Sequence, residues 1–86
     1  MSWDDVRYFL AVMRSGSLSA AARALQVQHS TVARRIDALE SSLRIRLFDR
    51  LPRGMQLTLA GEIVIAAVRR GQRDFDNALT QVEDLR

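Results

Sequence analysis

The feature that most restricts this chain is its last third. From Leu59 to Arg86 there is no proline. Val64, Val68, Gly71, Phe75, Ala78, Val82 and Leu85 recur in alternating steps of four and three. That spacing draws one apolar stripe along a helix and is the a/d pattern of a helix pair. Thr58 is placed to cap it. A helix from Leu59 to Arg86 is roughly 40 Å long at 1.5 Å per residue. The chain has 86 residues, so residues 1–58 form the only body it can lie on. Two outcomes compete: folding back on that body, or pairing with a second chain. The length favours pairing, and the expectation is a homodimer through this stripe. Gly71 and Ala78 suit a close approach of helices.

The body is also helical in period. Ser2-Trp3-Asp4-Asp5 has the form of a capping box, and Val6, Phe9, Leu10 and Met13 repeat at helical spacing. Gly16 is a stop signal, predicting a first helix from Trp3 to Ser15. Ser17 caps a short alanine-rich second helix from Leu18 to Leu25. Val27 reads as an apolar plug in the turn that follows. A third helix, from His29 to Ser42, has Val32, Ile36, Leu39 and Leu43 on one stripe, with His29, Arg34 and Arg35 off it. Helical period fails over residues 46–57, where Pro52 and Gly54 sit between short apolar runs. This predicts a β-hairpin with a basic tip. Trp3, Phe9 and Phe48 are core residues by default, although Trp3 is also placed to pack against the last helix.

Composition excludes several functions. There is no cysteine and a single histidine, His29. Thiolate metal sites, disulfides, cysteine nucleophiles and multi-histidine metal sites are all ruled out. The acidic residues are scattered, and Gly61 and Gly71 form no phosphate loop. No enzyme chemistry and no cofactor are expected. No apolar run approaches the ~18 residues of a membrane span, and the start lacks the layout of a signal peptide. A cytoplasmic chain is expected.

The formal net charge is +3, and all thirteen basic residues are arginine. A pI near 11.0 overstates the basicity for that reason. Residues 1–33 carry a net of +1, residues 34–53 a net of +3, and residues 54–86 a net of −1. The excess thus sits over Arg34, Arg35, Arg44, Arg46, Arg50 and Arg53. Such a window is either the footprint of a nucleic-acid binder or a solvated helix face with paired charges. Two helices joined by a tight turn, Leu18 to Ile36, have the layout of a helix-turn-helix. With the basic hairpin after it, the arrangement is a winged helix-turn-helix. The fold expected is therefore mainly α: three helices, a β-hairpin wing and a long helix.

Several runs carry a family likeness: Phe9-Leu10-Ala11-Val12, Gly16-Ser17, Ala20-Ala21-Ala22, Leu25-Gln26-Val27, Thr31-Val32, Arg34-Arg35-Ile36, Leu39-Glu40, Leu47-Phe48-Asp49-Arg50, Pro52-Arg53-Gly54, Leu57-Thr58 and Ala60-Gly61-Glu62. Together they resemble the N-terminal domain of LysR-type transcriptional regulators. The resemblance implies a sequence-specific double-stranded DNA-binding domain over residues 1–58 and a linker helix for dimerisation over residues 59–86. It implies that the chain is the DNA-binding piece of a longer bacterial regulator, whose small-molecule effector would bind a C-terminal domain absent here. His29, Ser30, Ala33 and Arg34 match positions that face bases in the major groove. Arg53 matches the wing-tip arginine of the minor groove. Gln28, Thr31 and Arg35, with Ser17, Ser19 and Arg50, match positions near the phosphates.

The residue chemistry agrees. Arginine is bidentate to guanine O6 and N7, and a narrow minor groove attracts it. Hydroxyls and helix N-termini suit phosphates. The sequence also departs from the family. Gln28, His29 and Ser30 stand where Ser, Gln and Pro are frequent, so the cap of the third helix is weaker or shifts to Ser30. Ala33 replaces a common serine, and Arg44 stands where glycine is common. Structural roles compete at several positions. Arg34 could instead pair with Glu40 or Asp37, Arg35 could be explained by on-helix pairing, and Arg50 could form an ion pair with neighbours of Asp49. His29 as a pH sensor, Arg69, Arg70 and Arg73 as a solvated face, and a winged helix that binds protein are the rival readings. The last predicts that Arg34→Ala and Arg53→Ala leave partner binding unchanged.

Overall fold

The computed structural model describes residues 2–86. Local capping accounts for where most of its helices begin. The Ser2 Oγ accepts from the Asp5 N–H at 3.3 Å, and the Ser2 N–H donates to Asp5 Oδ2 at 3.1 Å. This closes the capping box that starts α1 (Trp3–Ser15). Gly16, at φ 82°, ends α1 with its N–H on the Val12 carbonyl at 2.9 Å. The Ser17 Oγ accepts from Ala20 N–H at 3.1 Å and starts α2 (Leu18–Leu25). Helix α3 (His29–Leu43) starts at Gln28 with no side-chain cap. The departure at Gln28 therefore removes the cap without moving the helix, and Ser30 does not replace it.

The hairpin follows as β1 (Phe48–Leu51) and β2 (Gly54–Leu57), antiparallel, with Phe48 opposite Leu57 and Leu51 opposite Gly54. Pro52 and Arg53 form its two-residue tip. Gly54 has φ 146°, and a Cβ there would run into the Gly16 carbonyl oxygen. The neighbouring Met55 N–H donates to that same oxygen at 2.8 Å. Glycine at 54 thus lets the hairpin dock on the α1–α2 turn. Thr58 caps α4 (Leu59–Glu83), accepting from Gly61 N–H at 3.1 Å and donating to the Arg46 carbonyl at 2.7 Å. Gly61 lies against the Leu47 carbonyl, where a Cβ has no room.

The core joins all these elements except β2: Phe9 and Val12 from α1, Ala21 and Ala22 from α2, Val32, Ile36 and Leu39 from α3, Phe48 from β1 and Ile65 from α4, with Leu47 just before the wing. The Phe9 and Phe48 rings meet at 5.3 Å between centroids, tilted by 46°. Val27 packs against this cluster, and its N–H bonds the Ala22 carbonyl at 3.0 Å. Tyr8 and Leu47 are buried too, which the period did not single out.

Three expectations need correction. Trp3 is 78% exposed and is not a core residue, because it precedes the first turn that reaches the body. Leu43 leaves the α3 stripe and is exposed, since the chain turns away at Arg44 in left-handed conformation (φ 57°). Helix α4 stops at Glu83 rather than Arg86, with nothing packed over its last turns and no glycine to cap it. No described helix is long and apolar enough to cross a membrane.

Candidate nucleic-acid interface

Burial of Val32, Ile36 and Leu39 fixes which way α3 faces. Ser30, Arg34, Asp37 and Ser41, at steps of four, three and four, then lie on the opposite side, and all four are exposed. His29 and Gln28 are exposed at the helix start, whereas Thr31, Ala33 and Arg35 are half-buried flank positions. Among the described residues Arg34 makes no ion pair: the three pairs present are Arg7–Asp4, Arg35–Asp5 and Arg50–Asp37. Its guanidinium is therefore not taken up by Asp37 or Glu40.

Arg35 is differently placed. It stands 5.2 Å over the Tyr8 ring and 4.0 Å from Asp5, joining α3 to α1. Its partner is thus on another helix, not on its own. Arg50 pairs with Asp37, again across elements, and not with a neighbour of Asp49.

The wing is held at two points. The Glu40 Oε2 accepts from the Leu47 N–H at 2.7 Å and from the Phe48 N–H at 3.1 Å. A carboxylate on two backbone donors makes charge-assisted bonds that set β1 against α3. On the other side, the Met55 N–H donates to the Gly16 carbonyl, and Gly54 packs against the same turn beside Ser17. The exposed wing-tip Arg53 is thereby joined to the start of α2, where Ser17 and the exposed Ser19 lie. Ser17 is half-buried, with its hydroxyl already capping Ala20. Glu40 was not singled out as a positioning residue in the sequence. Its place just after Leu39, one step off the buried stripe, was the available signal.

The long-helix stripe lies apart from this face. Val64 and Val68 pack against the core, while Gly71, Phe75, Ala78, Val82 and Leu85 are exposed. Trp3, Val6, Ile63, Val64, Ala67 and Val68 line an open apolar groove between α1 and α4. It continues past Leu10, Gly71 and Phe75.

Residues 3–62 match the family model described as "Bacterial regulatory helix-turn-helix protein, lysR family". The chain is 41% identical over 70 residues to the HTH-type transcriptional regulator ClcR of Pseudomonas putida, covering 81% of this chain and 24% of that protein. It is 48% identical over 62 residues to the HTH-type transcriptional regulator YofA of Bacillus subtilis (strain 168), covering 72% of this chain and 22% of that protein. The chain therefore spans about a quarter of the length of these relatives. Among solved structures, the BenM_DBD/benA site 1 DNA complex superposes with a TM-score of 0.83 at 26% identity, covering 100% of both chains. The CbnR_DBD–DNA complex superposes with a TM-score of 0.69 at 35% identity, covering 91% of this chain and 99% of that one. With a helix-turn-helix, a docked wing and a family match across most of its length, this chain belongs to the LysR family of bacterial regulatory helix-turn-helix proteins.

Proposed function

We propose that this chain is the sequence-specific, double-stranded DNA-binding domain of a LysR-type transcriptional regulator and acts as a homodimer. One observation carries this: Arg34, exposed on the outward face of α3 and in no ion pair among the described residues, shares the fold with a wing whose position is set by Glu40 and Gly16. Helix α3 enters the major groove, with His29, Ser30, Ala33 and Arg34 toward base edges. Arg53 enters the minor groove. Ser17, Ser19, Gln28, Thr31, Arg35 and Arg50 approach the phosphates. For Arg35, this requires sharing its guanidinium with Asp5. Ala33 offers only apolar contact.

Residues 1–58 are the DNA-binding unit and residues 59–86 the dimerisation helix, paired through Val64, Val68, Gly71, Phe75, Ala78, Val82 and Leu85. Two-fold symmetry then matches two half-sites of an operator. The domain works in the bacterial cytoplasm and carries out no catalytic step. A small-molecule effector acts on it through a C-terminal domain outside this chain.

Selection of bound duplexes from random DNA, followed by a salt titration, tests this. Affinity for the selected sequence is expected to fall steeply as salt rises. Absence of binding at low salt, or binding indifferent to salt, refutes it. Arg34→Ala should cost about 1–3 kcal/mol and relax preference at one base position. Equal loss on all sequences would make Arg34 a phosphate contact instead.

A further inference from the structure

The start of α4 and the start of the wing meet at one residue. The Leu47 N–H donates to Glu40 Oε2 of α3 at 2.7 Å. The Leu47 carbonyl accepts from the Thr58 N–H at 3.0 Å. The Thr58 hydroxyl adds a bond to the Arg46 carbonyl at 2.7 Å and caps α4 at Gly61. The Leu47 side chain is fully buried. Helix α3, the wing and α4 are thus joined at residues 46–48, largely through backbone groups.

Gly61 makes this joint close. It is buried, and a Cβ on it would overlap the Leu47 carbonyl oxygen and come within 2.8 Å of Leu57 Cδ2. A glycine inside a helix costs stability. No positive φ calls for one here; the close approach to Leu47 does. Gly71, the other glycine of α4, has nothing within 4 Å of its Cβ position. Four residues beyond Gly61, Ile65 is buried on the same face of the helix. These two contacts set the angle at which α4 leaves the body.

The helix beyond them is a lever. A shift of roughly 1 Å at Gly61, about 6 Å along the axis from Ile65, tilts α4 by about 10° and carries Glu83, about 27 Å beyond Ile65, by about 4.5 Å. One base-pair step along a duplex is ~3.4 Å. In a two-fold pair both copies tilt together, so the two α3 helices change both separation and mutual rotation.

We propose that Gly61 is a specificity-determining residue: its seat on Leu47 sets the spacing of half-sites that the dimer accepts. This rests on the DNA binding and the α4 pairing proposed above. Gly61 does not touch the α3 face, so it acts on how two half-sites are combined and not on how each is read.

The test uses Gly61→Ala, Thr58→Val and Thr58→Ser in this 86-residue chain, with thermal melts confirming folding and sedimentation confirming dimers. The probes are duplexes built from the half-site selected out of random DNA. One carries a single half-site; the others carry two, their spacing stepped one base pair at a time. The wild type should prefer one spacing. Gly61→Ala should move that preference by about one base pair or more while single half-site affinity stays within about twofold of wild type. Thr58→Val removes both hydroxyl bonds and loosens the joint, so the affinity gap between neighbouring spacings should narrow. Thr58→Ser keeps the hydroxyl and should keep the gap. The inference is overturned if folded Gly61→Ala retains the wild-type spacing, or if it loses as much affinity on the single half-site as on the pairs. If Gly61→Ala does not fold, the Thr58 variants decide: a gap unchanged in Thr58→Val overturns it. If the wild-type chain binds no duplex at low salt, the DNA-binding function itself fails, and if it sediments as a monomer the α4 pairing fails; both outcomes are distinct from a wild-type spacing preference that Gly61→Ala leaves in place.

Discussion

The two halves of α4 carry one apolar period into different surroundings. In the first half, Gly61 and Ile65 are buried and Val64 and Val68 lean on the core. From Arg69 to Arg86 every residue is exposed, including Phe75 at 64% and Leu85 at 85%. The stripe does not change at Val68; the body under it ends. An α-helix of 25 residues is about 37 Å long, and three short helices cannot cover it. The bare stripe is the surface through which the homodimer proposed above would pair. The first half of α4 is thus held by its own chain, whereas the second half packs against little of it and would gain stability from the pairing proposed above.

The sharpest way to break this contrast is to damage the body. Phe48→Ala removes a ring that is 1% exposed and packed at a tilt against Phe9. It should cost about 3–5 kcal/mol, read as a lower urea midpoint with loss of the whole fold. If α4 kept its full helicity while the body melted, the dependence of its first half on the body would be wrong.

Next comes the bare half. Phe75→Arg puts a charge on the stripe in both copies of a symmetric pair. Loss of two buried phenyl rings should weaken the dimer by about 3 kcal/mol or more, which sedimentation equilibrium would show as monomers. The melting of residues 1–58 should barely move at low protein concentration, where both proteins are monomeric. A dimer that survives refutes the assignment of the seam.

A smaller effect is expected at the wing. Glu40→Ala strands the Leu47 and Phe48 N–H groups in a part-buried site and should cost about 1–3 kcal/mol. Hydrogen exchange at those two amides should accelerate before α4 is affected. Unchanged protection there would mean the wing is held by β2 alone.

The smallest change is a gain. Arg44 adopts φ 57° at the end of α3, a conformation that costs a non-glycine residue about 1–2 kcal/mol. Arg44→Gly removes that cost but adds about 0.5–1 kcal/mol of chain entropy. A net stabilisation of at most about 1.5 kcal/mol should appear as a slightly higher urea midpoint. A loss would mean the Arg44 side chain contributes contacts of its own.

Element boundaries were legible because their causes are local. Ser2 with Asp5, Ser17 with Ala20, Thr58 with Gly61, and the stop at Gly16 each act within four residues. The buried stripe of α3 was legible through its period, up to Leu39. The hairpin was legible from Pro52 and Gly54. At the interface, the exposure of His29, Ser30, Arg34 and Arg53 followed from their lying off the stripe or at the tip. What these residues are paired with did not follow.

The sequence alone determined a mainly helical chain, its capped starts, a basic window and an overlong amphipathic helix. Caps and periods are written within a few residues and need no knowledge of how helices cross. Only the tertiary structure decided that Arg35 lies on Tyr8 and Asp5, that Arg50 lies on Asp37, that Glu40 grips the wing and that Trp3 stays in water. The residues of each bond are seven to thirty positions apart, and their meeting depends on the packing of whole elements. Charge patterning along one helix cannot supply that, because the acids that hold Arg35 and Arg50 lie on other elements.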